Sequence, residues 1–325
     1  MPDIAEDVEE KRNIGQKTLN GIKIKIIGIG KIGNNVINKM VTRQDIKADF
    51  IAIDTEQSNL TNSKARTKIF VSSMISYEAV EELKKQIKKE LQDADMTFIM
   101  AEMGEKTGTS ASAIIAEIAR SMKILTVAVV SKPFKFEATN KIKLAKKGKK
   151  KLKHLADTVI TIPYQRLNDL YKNTTMENIY EKGEKSFITV VKGILDLIKK
   201  QGIVNLDFAD IKLVLRNSGK TVLGFGKANG ENRAKKAVEQ ALNTPLLEYS
   251  IKGAGKILMN ITSGNDIRLE EISQIATTVA KNSENPNLSL VWGTVFEENK
   301  LENQENLEKN GSFIKVYLIA TDFCD

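Results

Sequence analysis

One cysteine, one histidine, one tryptophan and five prolines are all that the 325 residues contain of these types. A single Cys324 excludes an internal disulfide. A single His154, set among lysines, leaves almost nothing for a transition-metal site or a histidine-based triad. No window approaches the roughly 18 consecutive apolar residues that a membrane-crossing helix needs. The opening MPDIAEDVEEKRNIGQKTLN lacks the apolar run that follows the basic start of a signal peptide. The chain therefore reads as soluble and cytoplasmic, with no metal site of its own, and its chemistry is left to carboxylates, backbone amides and lysines.

Lysine and apolar β-branched residues are what the sequence has in quantity. The formal charge is +9, and much of it is local. KIKLAKKGKKKLKH, residues 141–154, carries eight lysines with Ile142, Leu144, Ala145 and Leu152 as a loose apolar stripe. This reads first as the solvated face of a helix; a footprint for an acidic partner over Lys141 to Lys153 is the sharper alternative. No aromatic platform accompanies the lysines, which disfavours single-strand nucleic-acid binding.

The length suffices for two cores. Short β-branched runs alternate with helical periods through the first half: IKIKIIGIG (22–30), a helix over 36–43, DFIAID (49–54), a helix over 77–92, DMTFIMA (95–101), a helix over 110–122 and ILTVAVV (124–130). Strand–helix alternation predicts an α/β fold with a doubly wound parallel sheet whose ligands sit at the carboxyl ends of the strands. A long helical pattern over 177–200 follows, then strands and two helices of a smaller α+β domain. The polar stretch 297–312 reads as an exposed hairpin or loop.

Two loops look able to carry chemistry. GIGKIGNN follows the first strand and fits G-x-G-x-x-G at Gly28, Gly30 and Gly33, with Asp54 at the end of the second strand as the acid such a site would use. Alone this is a weak signal, and a tight ligand-free turn explains it too. MAEMGEKTGTSAS, residues 100–112, occupies the same place after a later strand. Gly104 and Gly108 would admit a phosphate, and Thr107, Thr109 and Ser110 could donate hydroxyls or cap the next helix. Glu105 opposes that use, because an unpaired carboxylate beside phosphate is costly unless Lys106 or a metal neutralises it. The spacing is not that of a Walker A loop.

From Ile22 to Ala320 the chain resembles FtsZ, the bacterial and archaeal relative of tubulin. GEKTGTS resembles the signature loop GGGTG[ST]G, and VAVVSKPFKFE, IPYQRL, GIVNLDFADIK, GKANGENRA, NTPLLE, NITSGNDIRLEE and WGTVFEE follow in the family's order. The resemblance implies a loose arm over 1–20, a nucleotide-binding (GTPase) domain over 21–175, a central helix and catalytic loop over 176–206, and a C-terminal activating domain over 207–325. It also implies head-to-tail filaments, with GTP or GDP between subunits and Mg2+ only where nucleotide is bound. Asn205, Asp207 and Asp210 match the polar residues that one subunit presents to the γ-phosphate of the next; capping of the following helix is the plainer use of Asp207. Asn34, Glu137 and Tyr180, with the glycines and threonines above, match the receiving pocket.

Other positions depart from the pattern. Lys31 and Ile32 stand where members have glycines, and KIFVSSMISYEA (68–79) is too short for the usual phosphate-wrapping loop. Thr139, Asn140 and Lys141 occupy positions that carry arginine or lysine, and Tyr164 replaces the asparagine that meets guanine. The guanine-reading aspartate aligns with Lys185 and its preceding asparagine with Glu184. Lysine has no acceptor for the guanine N1–H, so guanine specificity is expected to be lost.

Three readings result. The first is an FtsZ-like filament subunit with an intact catalytic loop and a degenerate GTP pocket, assembling with itself or with a conventional FtsZ. The second is an active polymerising GTPase with an atypical site, Lys31 and Lys106 replacing missing amide donors. The third is a non-enzymatic scaffold for acidic partners. Since the sequence ends at TDFCD, where family members usually continue to a tail peptide, the chain is expected either to be trimmed or to reach membranes through partners.

Overall fold

The computed structural model describes residues 21–72, 76–171, 174–199, 204, 206–244, 249–297 and 313–323. Asn205, Cys324, the N-terminal arm and nearly all of the polar stretch at 298–312 lie outside the described residues. The chain divides into two compact units, one of Ile22–Lys192 with Leu215–Lys220, the other including Gly193–Val214 and Thr221–Asp325.

The first unit is built on a seven-stranded parallel sheet of order β3-β2-β1-β4-β5-β6-β7. Its strands are β1 (Ile24–Ile29), β2 (Asp49–Asp54), β3 (Thr67–Phe70), β4 (Met96–Glu102), β5 (Leu125–Lys132), β6 (Thr158–Pro163) and the two-residue β7 (Gly219–Lys220). Strands buried on both faces carry unbroken apolar runs, and β1 (IKIIGI) and β4 (MTFIMAE) are buried at every residue. Along β1 the side chains alternate. Ile27 and Ile29 enter a core with Leu83, Ile87 and Leu91 of α3 (Tyr77–Leu91) and Ile115 of α4 (Lys106–Ser121). Gly28 turns to the other face, against α1 (Gly30–Val41). A side chain there would collide with Gly33 O at 2.5 Å, and one at Gly33 would meet Met100 O at 2.6 Å. Glycine at 28 and 33 is thus what lets α1 lie directly on β1 and β4.

The short α2 (Gln57–Thr61) follows β2. α3 begins at a Ser76 cap, whose hydroxyl accepts from Ala79 N at 3.4 Å, with Glu78 in the first turn and Lys88 and Lys89 in the last, charges that suit the helix dipole. The lysine-rich segment forms α5 (Thr139–Leu155), burying Ala145, Gly148 and Leu152 and turning six of its eight lysines outward, all but Lys141 and Lys149. α6 (Tyr164–Leu170) and α7 (Met176–Lys199) follow, and the division between units falls within α7.

The second unit contains α8 (Phe208–Leu215) and a mixed four-stranded sheet of order β10-β9-β11-β8. Its strands are β8 (Val222–Ala228), β9 (Ala254–Ser263), β10 (Ser289–Phe296) and β11 (Ile314–Phe323). α9 (Arg233–Leu242) and α10 (Leu269–Ser283) cover one face, burying Ala237, Val238, Ile275 and Val279 against Ile257, Met259 and Ile261. Arg233 forks onto Glu271 with bonds of 2.8 and 2.9 Å and reaches Asp266 at 2.6 Å. No helix among the described residues is long and apolar enough to cross a membrane.

Candidate functional site

The order 3-2-1-4-5-6 reverses direction between β1 and β4, and open α/β sheets bind ligands at such a switch point, beyond the carboxyl ends of the strands. A cavity of about 880 Å³ lies there. Ile29 and Gly30 line it from the end of β1, Asp54 and Thr55 from β2, and Glu102, Glu105, Thr107 and Gly108 from the end of β4 and the start of α4. Two helix N-termini, those of α1 and α4, open onto it, which favours an anion. Gly30 makes the entry turn with φ of 70°.

The side chains work the other way. Seven carboxylates and three lysines line the cavity. Lys141 Nζ is held by Glu137 at 2.6 Å, Glu105 at 2.7 Å and Glu102 at 2.9 Å. Burial opposes its charge, yet bonds from Glu105, Glu137 and Glu102 raise its pKa above the ordinary lysine value. Burial likewise raises the Glu102 carboxyl, against the pull of Lys141. Lys39 is paired with Glu184 at 2.5 Å, and Asn35 donates to the same carboxylate at 3.1 Å. A polyphosphate entering here meets more negative than positive charge, and each like unit pair about 4 Å apart at a partly dry site costs roughly 4 kcal/mol.

Of the residues named from the sequence, Gly30, Thr107, Gly108 and Tyr180 line the cavity. Gly28 and Gly33 serve helix–strand packing instead. The Gly104 amide, at φ 100°, donates to Thr109 Oγ1 at 2.9 Å, so both groups are already engaged. The Thr107 hydroxyl is bonded to that of Thr55 at 2.8 Å. Asn34 is buried and donates to Asp54 at 3.0 Å; Asp54 also accepts from Asn59 at 2.9 Å and from the Glu56 amide at 3.1 Å. Asp54 thus organises the β2–α2 turn. Glu137 reaches the site through Lys141 and also accepts from the Phe134 amide at 2.8 Å.

The base-facing wall corrects one expectation. Lys185 is exposed and does not line the cavity; Glu184 is buried and does. Glu177, Tyr180, Glu181 and Glu184 fall at i, i+3, i+4 and i+7 of α7, a single face, whereas residue 185 is turned about 100° away. The charge that faces the cavity at this turn of α7 is therefore the Glu184 carboxylate and not the Lys185 ammonium. Tyr164 is fully buried, with its ring stacked on Phe134 at 5.6 Å and edge-on to Tyr180 at 5.4 Å. Gly183 makes room for it, since a methyl there would sit 2.1 Å from Tyr164 Cε1.

In the second unit, Asp207 and Asp210 bond reciprocally: the Asp210 amide donates to Asp207 Oδ1 at 2.7 Å and the Asp207 amide to Asp210 Oδ2 at 3.1 Å. This is a capping box at the start of α8, with aspartate in both places. Upstream, Val204 exchanges two bonds of 2.9 Å with Thr294 of β10, and Leu206 is buried beside Gly293.

The family model for the Tubulin/FtsZ family, GTPase domain, matches residues 23–172, and that for the FtsZ family, C-terminal domain, matches residues 219–323. Cell division protein FtsZ 1 of Methanocaldococcus jannaschii is 36% identical over 293 residues, covering 86% of this chain and 80% of the relative. This chain belongs to the FtsZ family. An empty FtsZ dimer from M. jannaschii superposes with a TM-score of 0.83 at 34% identity, over 98% of this chain and 92% of the other. CetZ from Methanosaeta thermophila, at 16% identity and a TM-score of 0.75 over 93% of this chain and 86% of that one, shares the fold. The FtsZ family is one of cell-division cytoskeletal GTPases whose members bind GTP or GDP with Mg2+ and form filaments with themselves. Glu102, Glu105 and Lys106 of this FtsZ-family chain stand in the loop where the family signature is glycine-rich, and the first two of them are ion-paired with Lys141.

Proposed function

We propose that this chain is a filament subunit of cell division that offers its α8 loop, with Asn205, Asp207 and Asp210, to a neighbour while its own pocket does not retain GTP in the family's usual way. The neighbour is a second copy or a conventional FtsZ. The observation that carries this reading is the cage of Glu102, Glu105 and Glu137 around Lys141, which neutralises one of the three lysines that line the cavity. The domain arrangement proposed with it is an arm over 1–20, a nucleotide-type domain over 21–175, a central helix and loop over 176–206 and a C-terminal domain over 207–325.

A second reading, an atypical but active GTPase, is favoured by one specific feature: Tyr180 and Glu184 form a wall able to stack on and pair with a guanine. Denaturing the purified protein and identifying released nucleotide separates the two. The first reading expects well under one guanine nucleotide per chain and pelleting that does not depend on GTP; stoichiometric GTP or GDP overturns it.

A further inference from the structure

α5 carries eight lysines and no acidic residue. Lys141 is held in the cavity and Lys149 is half-buried, so neither belongs to the outer surface. Lys143, Lys146, Lys147, Lys150, Lys151 and Lys153 are exposed, and none of the six has an ion pair or a hydrogen bond among the described residues. At a helical turn of about 100° per residue they fall within about 160° of arc and span about 15 Å, opposite the buried Ala145, Gly148 and Leu152. Arg120, exposed at the end of α4, donates to the His154 carbonyl and adds a further cation at the C-terminal end of α5.

Such crowding opposes folding. Lys143–Lys147, Lys146–Lys150 and Lys147–Lys151 are like-charge pairs at i, i+4, each of which destabilises a helix. α3 handles lysine differently: its four lysines stand among four glutamates, and Lys84 pairs with Glu81 at 2.7 Å. The exposed lysines of α5 have no such compensation from their own helix, and a polyanion outside the chain supplies it.

We propose that the outer face of α5 docks on an anionic lipid membrane, its lysines lying over the headgroups without insertion. The composition of the helix favours a lipid surface over a nucleic acid. It contains no arginine, whose planar fork suits docked phosphates, and lysine is a hydrated point charge suited to diffuse attraction. Its shape points the same way. With its inner side packed in the core the helix cannot enter a major groove, whereas long flexible lysines on a convex face can reach a plane. No large apolar side chain of α5 is exposed for insertion, so the attraction is electrostatic. Docking through this face is independent of what the cavity holds, since Lys141 takes no part in it.

The test is flotation of the intact chain with vesicles of phosphatidylcholine alone or with about 30% phosphatidylglycerol, at about 50 mM salt. The chain is expected to float with the anionic vesicles and not with the neutral ones, and to be released at about 500 mM salt. Each lysine near such a surface strengthens binding roughly fivefold, so Lys143→Gln, Lys146→Gln, Lys147→Gln and Lys150→Gln together are expected to weaken it more than about a hundredfold. The same four positions changed to arginine keep the charge and should keep binding within about twofold, as should Lys85→Gln with Lys88→Gln on α3. No flotation with anionic vesicles, equal flotation with neutral ones, or a folded glutamine variant that still floats would overturn the proposal. So would tighter binding, at the same salt, to a DNA duplex than to the anionic vesicles.

Discussion

Glu102 and Glu105 are two side chains whose removal would halve the net negative charge of the cavity lining. Without them Lys141 keeps only Glu137, and the cavity lining moves two charges toward neutrality. The double variant Glu102→Gly, Glu105→Gly is expected to bind GTP at least tenfold more tightly than the parent, measured by titration calorimetry; unchanged affinity would mean that the cage is not what bars the nucleotide. Tyr164 gives a stability counterpart. Its hydroxyl is buried with no hydrogen-bond partner among the described residues, so Tyr164→Phe is expected to be neutral or stabilising by about 1 kcal/mol. Gly183→Ala drives a methyl into the Tyr164 ring and is expected to cost about 1–3 kcal/mol in urea denaturation. At this scale the sequence was only partly readable. Tyr180 was placed in the site from the resemblance, and the i, i+4 step from it to Glu184 was present in the sequence, but only the observed helix face shows that residue 184 and not 185 looks inward.

Whole elements were easier to anticipate than their ends. β2 occupies the 49–54 run and α3 begins at Tyr77 as the periodicity predicts, because apolar alternation and capping are local. α1 instead starts at Gly30, six residues before the predicted helix, since packing on β1 and β4 draws a glycine-containing segment into helix despite its poor propensity. α4 likewise begins at Lys106, within the signature loop itself. At α8 the reciprocal bonds of Asp207 and Asp210 supply the capping role set beside the catalytic one, and the two are separable. Asp207→Ala is expected to cost about 1 kcal/mol of stability through the lost cap. Asp207→Asn keeps a capping oxygen but removes the charge, so it should preserve the melting temperature. If the loop serves a neighbour's nucleotide, the same variant should abolish any effect of the chain on turnover by a conventional FtsZ; retained stimulation would leave only the cap. Between α9 and α10 the fork of Arg233 onto Glu271, with Asp266 beside it, is largely buried. Arg233→Ala removes the largely buried guanidinium from those acids and is expected to lose about 3 kcal/mol in chemical denaturation.

Over the whole molecule, opposing pKa shifts predict two limbs of pH dependence. Hydrogen bonds from Lys23 and Lys25 hold Asp93 at about 2; Arg43, with Lys192, holds Asp45 below its ordinary value, and Arg233 does the same for Glu271. Depressed carboxylates contribute stability above the unfolded carboxylate range, and this is lost as pH falls from about 4 toward 2. Lys149 acts in the other direction. Its folded value of about 7 lies below the ordinary lysine value of 10.5, so the folded chain binds fewer protons across that window and stability from this group rises with pH. Urea denaturation between pH 7 and 10 should show the rise, and Lys149→Met should flatten it. The sequence by itself determined the family through its ordered motifs, and the doubly wound sheet and the mixed second sheet through strand and helix periodicity, which acts locally; a single cysteine also excludes an internal disulfide. Only the tertiary structure decided which charges share a cavity. Glu102 ends β4, Glu105 precedes α4, Glu137 lies between β5 and α5, and Lys141 is in α5; pairings set by the approach of separate elements leave no periodic signal in the chain.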